Sequence, residues 1–435
     1  MKEFINNYKG LPKEMYIICF AKFVNRLGDF VVPFLALYLT QKIGMTAATS
    51  GIIVMLSSII GVPASIIGGK VSDTFGRKKI YMFAQSMAAA TLIPCALTKN
   101  VVITIICLLV STFFSGFLRP SFTSMITDIL SREQRQAGFS LQYLSINAGV
   151  AVGPIIAGFL FNNFLPMLFI GDAITSFIAV FLIWKNIKET YSVNSKTKVE
   201  SKDEKIEKGN TVQMLIKRPQ LSMFFILNIV YNFIYAQHKF ALPLTLNIEF
   251  NNEGAKYFGY LMSINAVTVV VFTVFVGYIT KKNHQLTNMA LTGILYAVGF
   301  GMIGYIDSFG FFIISTIIWT GGEILSSISS GVYVANNSPS NYRARLNAIT
   351  TLGMFLGSAL STSFSGAYIQ IYNCKSLWGL TFFMSLIAAG LMFCLKIYTD
   401  KKSSYAATKI IDKKSSYAAT KIIDKKSSYA ATKII

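Results

Sequence analysis

A single acid, Glu323, lies in the stretch IIWTGGEILSSISSG, within an apolar segment that runs from about residue 310 to 335 and holds no basic residue. Small neighbours such as Gly322 and Ser326 keep a helix slim around it. Because desolvation favours the neutral form of a carboxyl group, such an acid can bind a proton at neutral pH. Glu323 is therefore a candidate proton carrier. The alternative is a permanently neutral Glu323 that donates a hydrogen bond between helices.

Further ionisable side chains interrupt the apolar stretch KFVNRLGDFVVP near the N-terminus. Lys22, Arg26 and Asp29 occupy positions i, i+4 and i+7, which share one face of a helix. Arg26 and Asp29 are candidates for proton coupling, and a structural ion pair between them is the alternative. Arg119, beside Pro120 in SGFLRPSFTS, is another candidate, because a buried Arg stays charged and favours the ionised form of a nearby acid.

A mixed aromatic and polar stretch, YNFIYAQHKFALPL, offers groups suited to the wall of a substrate cavity. Its candidates are Tyr235, Gln237 and His238, and for His238 a pairing with Lys239 near the outer surface stays open. Asp172, in FIGDAITS, is a further cavity candidate. For Asp172 we favour a solvated helix start near the external end, where the helix dipole stabilises an acid.

The chain that must position these residues has the composition of a membrane protein: of its 435 residues, 53% are hydrophobic and only 14% are charged. A helix needs about 20 mainly apolar residues to cross a bilayer. The first apolar segment, residues 14–41, is too long for a cleaved signal peptide and lacks a small-residue cleavage site, so we expect it to be retained as span 1. The twelve predicted spans cover residues 14–41, 48–69, 80–98, 101–127, 138–162, 166–185, 219–247, 256–280, 286–306, 310–336, 345–371 and 377–398.

The net charge of +21 has an explanation other than nucleic-acid binding. Lys and Arg accumulate on the cytoplasmic side of membrane proteins. With both termini inside, 32 of the 40 Lys and Arg residues fall in cytoplasmic segments and only four in external loops. This asymmetry predicts a multi-pass protein of the cell membrane, surrounded by lipid, with both termini in the cytoplasm and no nucleic-acid partner.

A hydrophilic linker divides the predicted spans into two sets of six. An offset of 208 residues matches Gly69 with Gly277 and Gly158 with Gly366, as parallel repeats require. The C-terminal residues form three copies of DKKSSYAATKII, which we interpret as a recent duplication, with contact to anionic lipid as the alternative. The predicted organisation is an N-terminus (1–13), an N-terminal bundle (14–185), a linker (186–218), a C-terminal bundle (219–398) and a basic cytoplasmic tail (399–435).

The segment GGKVSDTFGRKKI, between spans 2 and 3, resembles the signature of the major facilitator superfamily. Thr74 stands where the signature more often has Arg, and the matching GYITKK of the second half has Lys281 in place of the acid. The resemblance implies a one-sided cytoplasmic gate, formed by this loop and the acid that ends span 4. The gate residues are Gly69, Asp73, Gly76, Arg77, Lys78 and Asp128.

Span 5 contains NAGVAVGPIIAGFL, which is similar to the antiporter motif of the same superfamily through Gly149, Gly153, Pro154 and Gly158. Small residues let helices approach closely, and proline permits a bend. Together the two resemblances imply an all-α membrane protein whose twelve transmembrane helices form two pseudo-symmetric six-helix bundles. In this fold the bundles rock around a central site.

The stretch TGGEIL around Glu323 also resembles the acid-bearing part of span 10 in the multidrug:proton antiporters of this superfamily, and Arg119 resembles an intramembrane Arg of proton-coupled members. The prediction is a monomeric secondary transporter that exports hydrophobic or cationic small molecules in exchange for protons. The proton gradient drives it, without a cofactor. The alternative is a proton-coupled transporter of one metabolite, such as a sugar or an amino acid.

Other classes of protein find little support. The chain has no GxxxxGK[ST] phosphate-binding loop, which excludes a built-in ATPase. Two His and five scattered Cys predict neither a metal site nor a disulfide, and they argue against an intramembrane enzyme. A channel and a non-transporting sensor, the latter suggested by the basic tail, are the alternatives that remain.

Overall fold

The computed structural model describes residues 10–131, 133–189, 211–280, 283–338 and 343–401. Span 11 is the helix Arg343–Ile371, and span 3 is divided into Arg77–Ala90 and Leu92–Leu97. Spans 2 to 10 and 12 are the ten described helices long and apolar enough to cross a membrane: Ala47–Phe75, Arg77–Leu97, Val101–Ile129, Ala137–Asn163, Leu165–Asn186, Pro219–Phe250, Gly254–Thr280, Gln285–Tyr305, Phe309–Asn337 and Cys374–Lys401.

Span 1 is interrupted in its middle. It consists of the helix Lys13–Leu27, a short break, the helix Val31–Leu37 and a π-helical turn, Tyr38–Lys42. At the break, a Cβ added to Gly28 would lie 1.8 Å from the Thr175 hydroxyl oxygen of span 6, so glycine permits the approach of the two spans. Of the predicted candidates, Arg26 lies just before this interruption and Asp29 lies within it.

The two bundles repeat one another in their packing. Gly149 of span 5 packs on span 1, where an added Cβ would lie 2.8 Å from the Phe23 carbonyl oxygen. Gly357 of span 11 packs in the same way on span 7, with a corresponding distance of 2.6 Å to the Ile229 carbonyl oxygen. These matched contacts agree with the predicted pseudo-symmetry of the halves.

The bundles meet through two pairs of helices, spans 2 and 11 and spans 5 and 8. A Cβ added to Gly259 would lie 2.3 Å from the Pro154 carbonyl oxygen, and one added to Gly51 would lie 2.3 Å from the Thr362 carbonyl oxygen. Both contacts lie toward the side of the protein where short loops of low charge join the spans. We call this side the opposite face. The other end, predicted to be cytoplasmic, is the basic face.

Aromatic packing also joins the bundles near the opposite face. The ring centroid of Phe34, in span 1, lies 5.2 Å from that of Phe258 in span 8 and 5.8 Å from that of Phe161 in span 5. All three side chains are fully buried. The rings and the glycine contacts therefore close the structure toward the opposite face.

The predicted linker 186–218 is partly folded rather than wholly solvated. Its last residues form the helix Thr211–Lys217, in which Met214 is buried against the C-terminal bundle. The apolar side chains of this short helix explain its packing. Residues 190–210, Lys281 and the tail beyond Lys401 lie outside the described residues, so our predictions for them stay predictions.

Candidate transport site

A cavity of about 590 Å³ lies in the N-terminal bundle. It extends from Phe139, near the basic-face end of span 5, to Leu35 and Leu108, beyond the middle of their spans. Its volume lies within the range of small-molecule sites. The wall is unusually polar for a membrane protein interior and includes Lys22, Asn25, Arg26, Asp29, Gln85, Arg119, Gln142, Asp172 and Ser176.

Two acids line this cavity beside Arg26. Arg26 and Asp29 form an ion pair, and Asp172 of span 6 lies in electrostatic range of both. Asp172 is 8% exposed, and its carboxylate accepts a hydrogen bond from the Val31 amide over 3.3 Å. Our preferred interpretation of Asp172 as a solvated helix start is therefore wrong. The helix begins two turns earlier, at Leu165, so Asp172 lies within the bundle.

The remaining basic residues of the cavity differ in their surroundings. Lys22 is 8% exposed, and its ammonium group lies 5.1 Å from the centroid of the Phe122 ring, a cation–π contact. Arg119 is exposed and has no ion-pair partner among the described residues. The Arg119 guanidinium is therefore free to contact a substrate or an approaching acid.

In the C-terminal bundle, Glu323 of span 10 is held by uncharged hydrogen-bond partners. Asn265 of span 8 donates from its amide nitrogen to Glu323 Oε2 over 2.7 Å and to Thr320 Oγ1 over 2.9 Å. Tyr235 of span 7 is a second hydrogen-bonding partner of the carboxyl group. Because a protonated carboxyl keeps an acceptor oxygen, these partners can hold Glu323 in either protonation state.

Glu323 also faces the other half of the protein. It lies in electrostatic range of Tyr143, on span 5. Lys239 of span 7 is exposed, and it lies in electrostatic range of Glu323 and of the Arg26–Asp29 pair. The candidate acids of the two bundles therefore share Lys239 as a neighbouring charge.

Two predicted cavity residues are instead buried in helix packing. Gln237 is fully buried and exchanges hydrogen bonds of 2.7 and 3.0 Å with the Ser365 hydroxyl. His238 is 4% exposed and stacks on Trp319, with the ring centroids 5.4 Å apart. The helix period explains both positions, because Tyr235 and Lys239 lie one turn apart on the inner face and the residues between them point elsewhere.

Asn265 is a site residue that the sequence alone did not single out. It stands in SINAVT, in the middle of an otherwise apolar span 8, and carries no charge. A polar amide in such a segment was the one available signal, because an unpaired polar group is unfavourable in hydrocarbon. Its partner, Glu323, is 58 residues away in the chain.

Comparison with known proteins decides the class of this protein. The family model of the Major Facilitator Superfamily matches residues 18–362. The chain belongs to this superfamily. It is accordingly a multi-pass membrane transporter and not an enzyme. The crystal structure of the nucleoside transporter NupG has the same fold, with a TM-score of 0.74 at 14% identity over 88% of this chain and 99% of NupG.

Curated relatives of the superfamily are similar to the chain at low identity. The uncharacterized MFS-type transporter YttB of Bacillus subtilis is 22% identical, covering 92% of this chain and 99% of YttB. The Na(+), Li(+), K(+)/H(+) antiporter of Planococcus maritimus is 21% identical, covering 78% of this chain and 85% of the antiporter. The quinolone resistance protein NorA of Staphylococcus aureus is 27% identical, covering 42% of this chain and 48% of NorA.

The superfamily signature after span 2 makes a sharp turn that depends on Gly76. Its φ of 108° favours glycine, and an added Cβ would lie 2.6 Å from Glu189 Oε2. The Glu189 carboxylate accepts hydrogen bonds of 3.1 Å from the backbone amides of Lys78 and Lys79. It thus caps the first turn of span 3, where the helix dipole favours an acid. The signature itself gave no indication of Glu189.

Arg77 connects the signature to span 4. It forms an ion pair with Asp128 and donates to the Ser124 carbonyl oxygen over 3.3 Å. Asp73 lies farther from Arg77, at 3.7 Å, and its side chain is 64% exposed. Gly69, another residue of the predicted gate, lies against Pro120 of span 4, and the Thr74 hydroxyl donates a hydrogen bond within its own helix to the Lys70 carbonyl oxygen.

The antiporter motif of span 5 has two different neighbours. Gly149 and Gly153 pack on the backbone of span 1, within the N-terminal bundle. Pro154 and Gly158 pack on span 8, across the junction of the bundles, where a Cβ added to Gly158 would lie 2.8 Å from the Ala255 carbonyl oxygen. The motif therefore touches both the interrupted span 1 and the opposite half.

We expect Asp128→Asn to destabilise the protein by about 1–3 kcal/mol, because it breaks a charge-assisted contact and leaves Arg77 without its closest partner. Asp73→Asn should have a much smaller effect, since an exposed, longer ion pair contributes little. Thermal unfolding of both purified variants in the same detergent tests this expectation. An unfolding midpoint of Asp128→Asn equal to that of the wild type would show that Asp128 does not stabilise this contact.

Proposed function

We propose that this transporter is a proton-coupled antiporter of the cell membrane that exports hydrophobic small molecules by alternating access. One observation carries the proposal: Glu323, an acid in an apolar span, faces the junction of the bundles and is held by Asn265 and Tyr235. A carboxyl group in such a place can take up a proton without losing its hydrogen bonds. No bound cofactor is needed, because the proton gradient supplies the free energy.

Lys239 supports a cycle in which Glu323 loses its proton. An ionised acid without a counter-charge is costly in a low-dielectric interior. Lys239 lies in electrostatic range of Glu323 and offsets part of this cost. Lys239 also lies in electrostatic range of Asp29, which we propose as a second proton site. Arg26 and Arg119 would take part in the coupling as permanent positive charges, because an arginine does not release its proton.

Alternating access in this proposal uses the close contacts between bundles. Span 2 packs on span 11, and span 5 packs on span 8. In both pairs, glycines of one helix lie against the backbone of the other, which allows tight closure. With the basic face in the cytoplasm, the conformation described above would receive substrate from inside the cell. Rocking of the bundles would break the contacts near the opposite face and release the substrate outside.

Efflux and antiport are suggested by the relatives, among which one is named an antiporter and another a quinolone resistance protein. The proposed substrates are hydrophobic compounds. Arg119 and Lys239 are exposed positive side chains that repel cations. A substrate is therefore expected to carry a cationic group only where that group would lie against Glu323.

The second candidate is a proton-coupled transporter of a single metabolite. It is favoured by the polar wall of the N-terminal cavity, where Gln85 and Asn25 both donate to the Ser176 hydroxyl, over 2.9 and 3.2 Å. Ordered polar groups of this kind suit a substrate that makes specific hydrogen bonds. The polar wall therefore favours a specific substrate over a range of hydrophobic compounds.

Uptake into inverted membrane vesicles with an imposed pH gradient tests the proposal. Ethidium, Nile red and an anionic dye serve as probes, and vesicles from cells without the protein are the control. Gradient-dependent uptake of several unrelated dyes that compete with one another is expected. Competition restricted to one chemical class would favour the metabolite transporter, and uptake that ignores the gradient would contradict proton coupling.

A further inference from the structure

A second groove, also of about 590 Å³, lies on the outside of the C-terminal bundle, away from the transport site. It is formed by the helix Thr211–Lys217, the basic-face start of span 7 and the basic-face end of span 12. Its wall is almost entirely apolar. The main lining residues are Leu215, Ile216, Met223, Ile226, Leu391 and Tyr398.

Several apolar side chains of the groove are exposed, unlike those of the protein core. Ile216 is 74% exposed, Ile226 58% and Tyr398 50%. Ser222, which also lines the groove, uses its hydroxyl to bond the Leu215 carbonyl oxygen over 2.8 Å and so presents little polarity. An open, concave apolar surface at this depth suits a hydrocarbon chain.

The rim of the groove is basic. Lys217 and Arg218 end its helical wall on one side, and Lys401, one turn beyond the lining residue Tyr398, lies at the end of span 12 on the other. Lys396 lies on another face of span 12, where it contacts Phe393 and pairs with Asp400, the one acid of this span, at 3.4 Å. Lys217 and Lys401 are both exposed. The rim therefore carries an excess of positive charge directly beside an apolar slot.

We propose that this groove binds an anionic phospholipid, with an acyl chain in the slot and the phosphate at the basic rim. The charge distinguishes this ligand from a neutral lipid, since a zwitterionic headgroup would leave the excess positive charge unbalanced. Lys and Arg residues near a membrane surface attract anionic lipid. The bound lipid would also hold the end of the linker against spans 7 and 12.

Lipid binding to the full-length protein in mixed micelles tests the proposal. Phosphatidylglycerol and phosphatidylcholine with identical acyl chains are titrated, and bound lipid is counted by native mass spectrometry. Phosphatidylglycerol is expected to bind about tenfold more tightly. The double variant Lys217→Gln/Lys401→Gln should lose this preference, whereas Lys99→Gln, in an exposed loop of the opposite face, should keep it.

A second pair of variants tests the slot separately from the charge. Cys394→Trp fills the groove and should weaken binding of both lipids, while Phe393→Trp changes the neighbouring residue, which is not part of the wall. Equal affinity for the two lipids in the wild type would overturn the proposal. A preference for phosphatidylglycerol that persists in the double variant would do so too, because the selective charge would then lie elsewhere. If Cys394→Trp does not fold, the double variant decides.

Discussion

Glu323→Gln is expected to reduce pH-gradient-driven accumulation of a transported dye to the level of protein-free vesicles. The amide of Gln has nearly the same shape as the protonated carboxyl and can still accept the 2.7 Å hydrogen bond from Asn265. It cannot release a proton, so the step that couples the gradient to transport is lost. The fold should be retained, because no hydrogen-bond acceptor is removed from Asn265.

Reconstituted protein in proteoliposomes with an imposed pH gradient provides the measurement. Glu323→Asp should retain gradient dependence at a lower rate, since it keeps the titratable group but shortens its reach. Glu253→Gln is the matched control, because Glu253 is exposed at the opposite face and forms a local ion pair with Lys256 at 2.7 Å. Wild-type accumulation by Glu323→Gln would remove the coupling role that we propose for this acid.

Gly259→Ala is expected to abolish transport through a different cause, a block to closure of the bundles. The added Cβ would lie 2.3 Å from the Pro154 carbonyl oxygen, a distance that backbone atoms cannot accommodate without separation of spans 5 and 8. The conformation closed toward the opposite face should therefore become unfavourable. Folding of the individual bundles should be unaffected, because this contact joins one bundle to the other.

The accessibility of Leu37→Cys to a membrane-impermeant maleimide reports this change. Leu37 is fully buried near the opposite face, so the engineered thiol should be protected in the wild type and labelled in the Gly259→Ala background. Labelling of the five native cysteines is measured in protein without the Leu37→Cys substitution and is subtracted. Gly331→Ala is the control, because nothing lies within 4 Å of its added Cβ. Equal transport and equal labelling in both backgrounds would show that the tight contact at Gly259 is dispensable.

The positions of the spans were predictable because hydropathy acts locally along the chain. The ten described helices that can cross a membrane coincide with predicted segments, and the fold class followed from two short motifs. The interruption of span 1 was not predicted. It depends on the close approach of Thr175, which is distant in sequence from Gly28. A steric contact between residues that are distant in the chain produces no periodic pattern from which it could be predicted.

The candidate site was predictable where charge was involved and not where the partner was neutral. Glu323 and Arg119 stood out because ionisable groups are rare in apolar spans. Asn265 has no charge, so its contact with Glu323 became visible only in the packed structure. For Gln237 and His238, polarity suggested a cavity wall, but Gln237 is hydrogen-bonded to Ser365 and the His238 ring is stacked on Trp319 within the bundle. Composition of a stretch does not tell which face of its helix points inward.

Proton movement caused by substrate alone tests proton antiport directly. Proteoliposomes that contain a trapped pH indicator and no initial pH gradient are given a gradient of a transported dye. Dye movement is expected to drive protons in the opposite direction, and Glu323→Gln is expected to abolish the pH change. Dye transport by the wild type without any change in internal pH would contradict proton antiport.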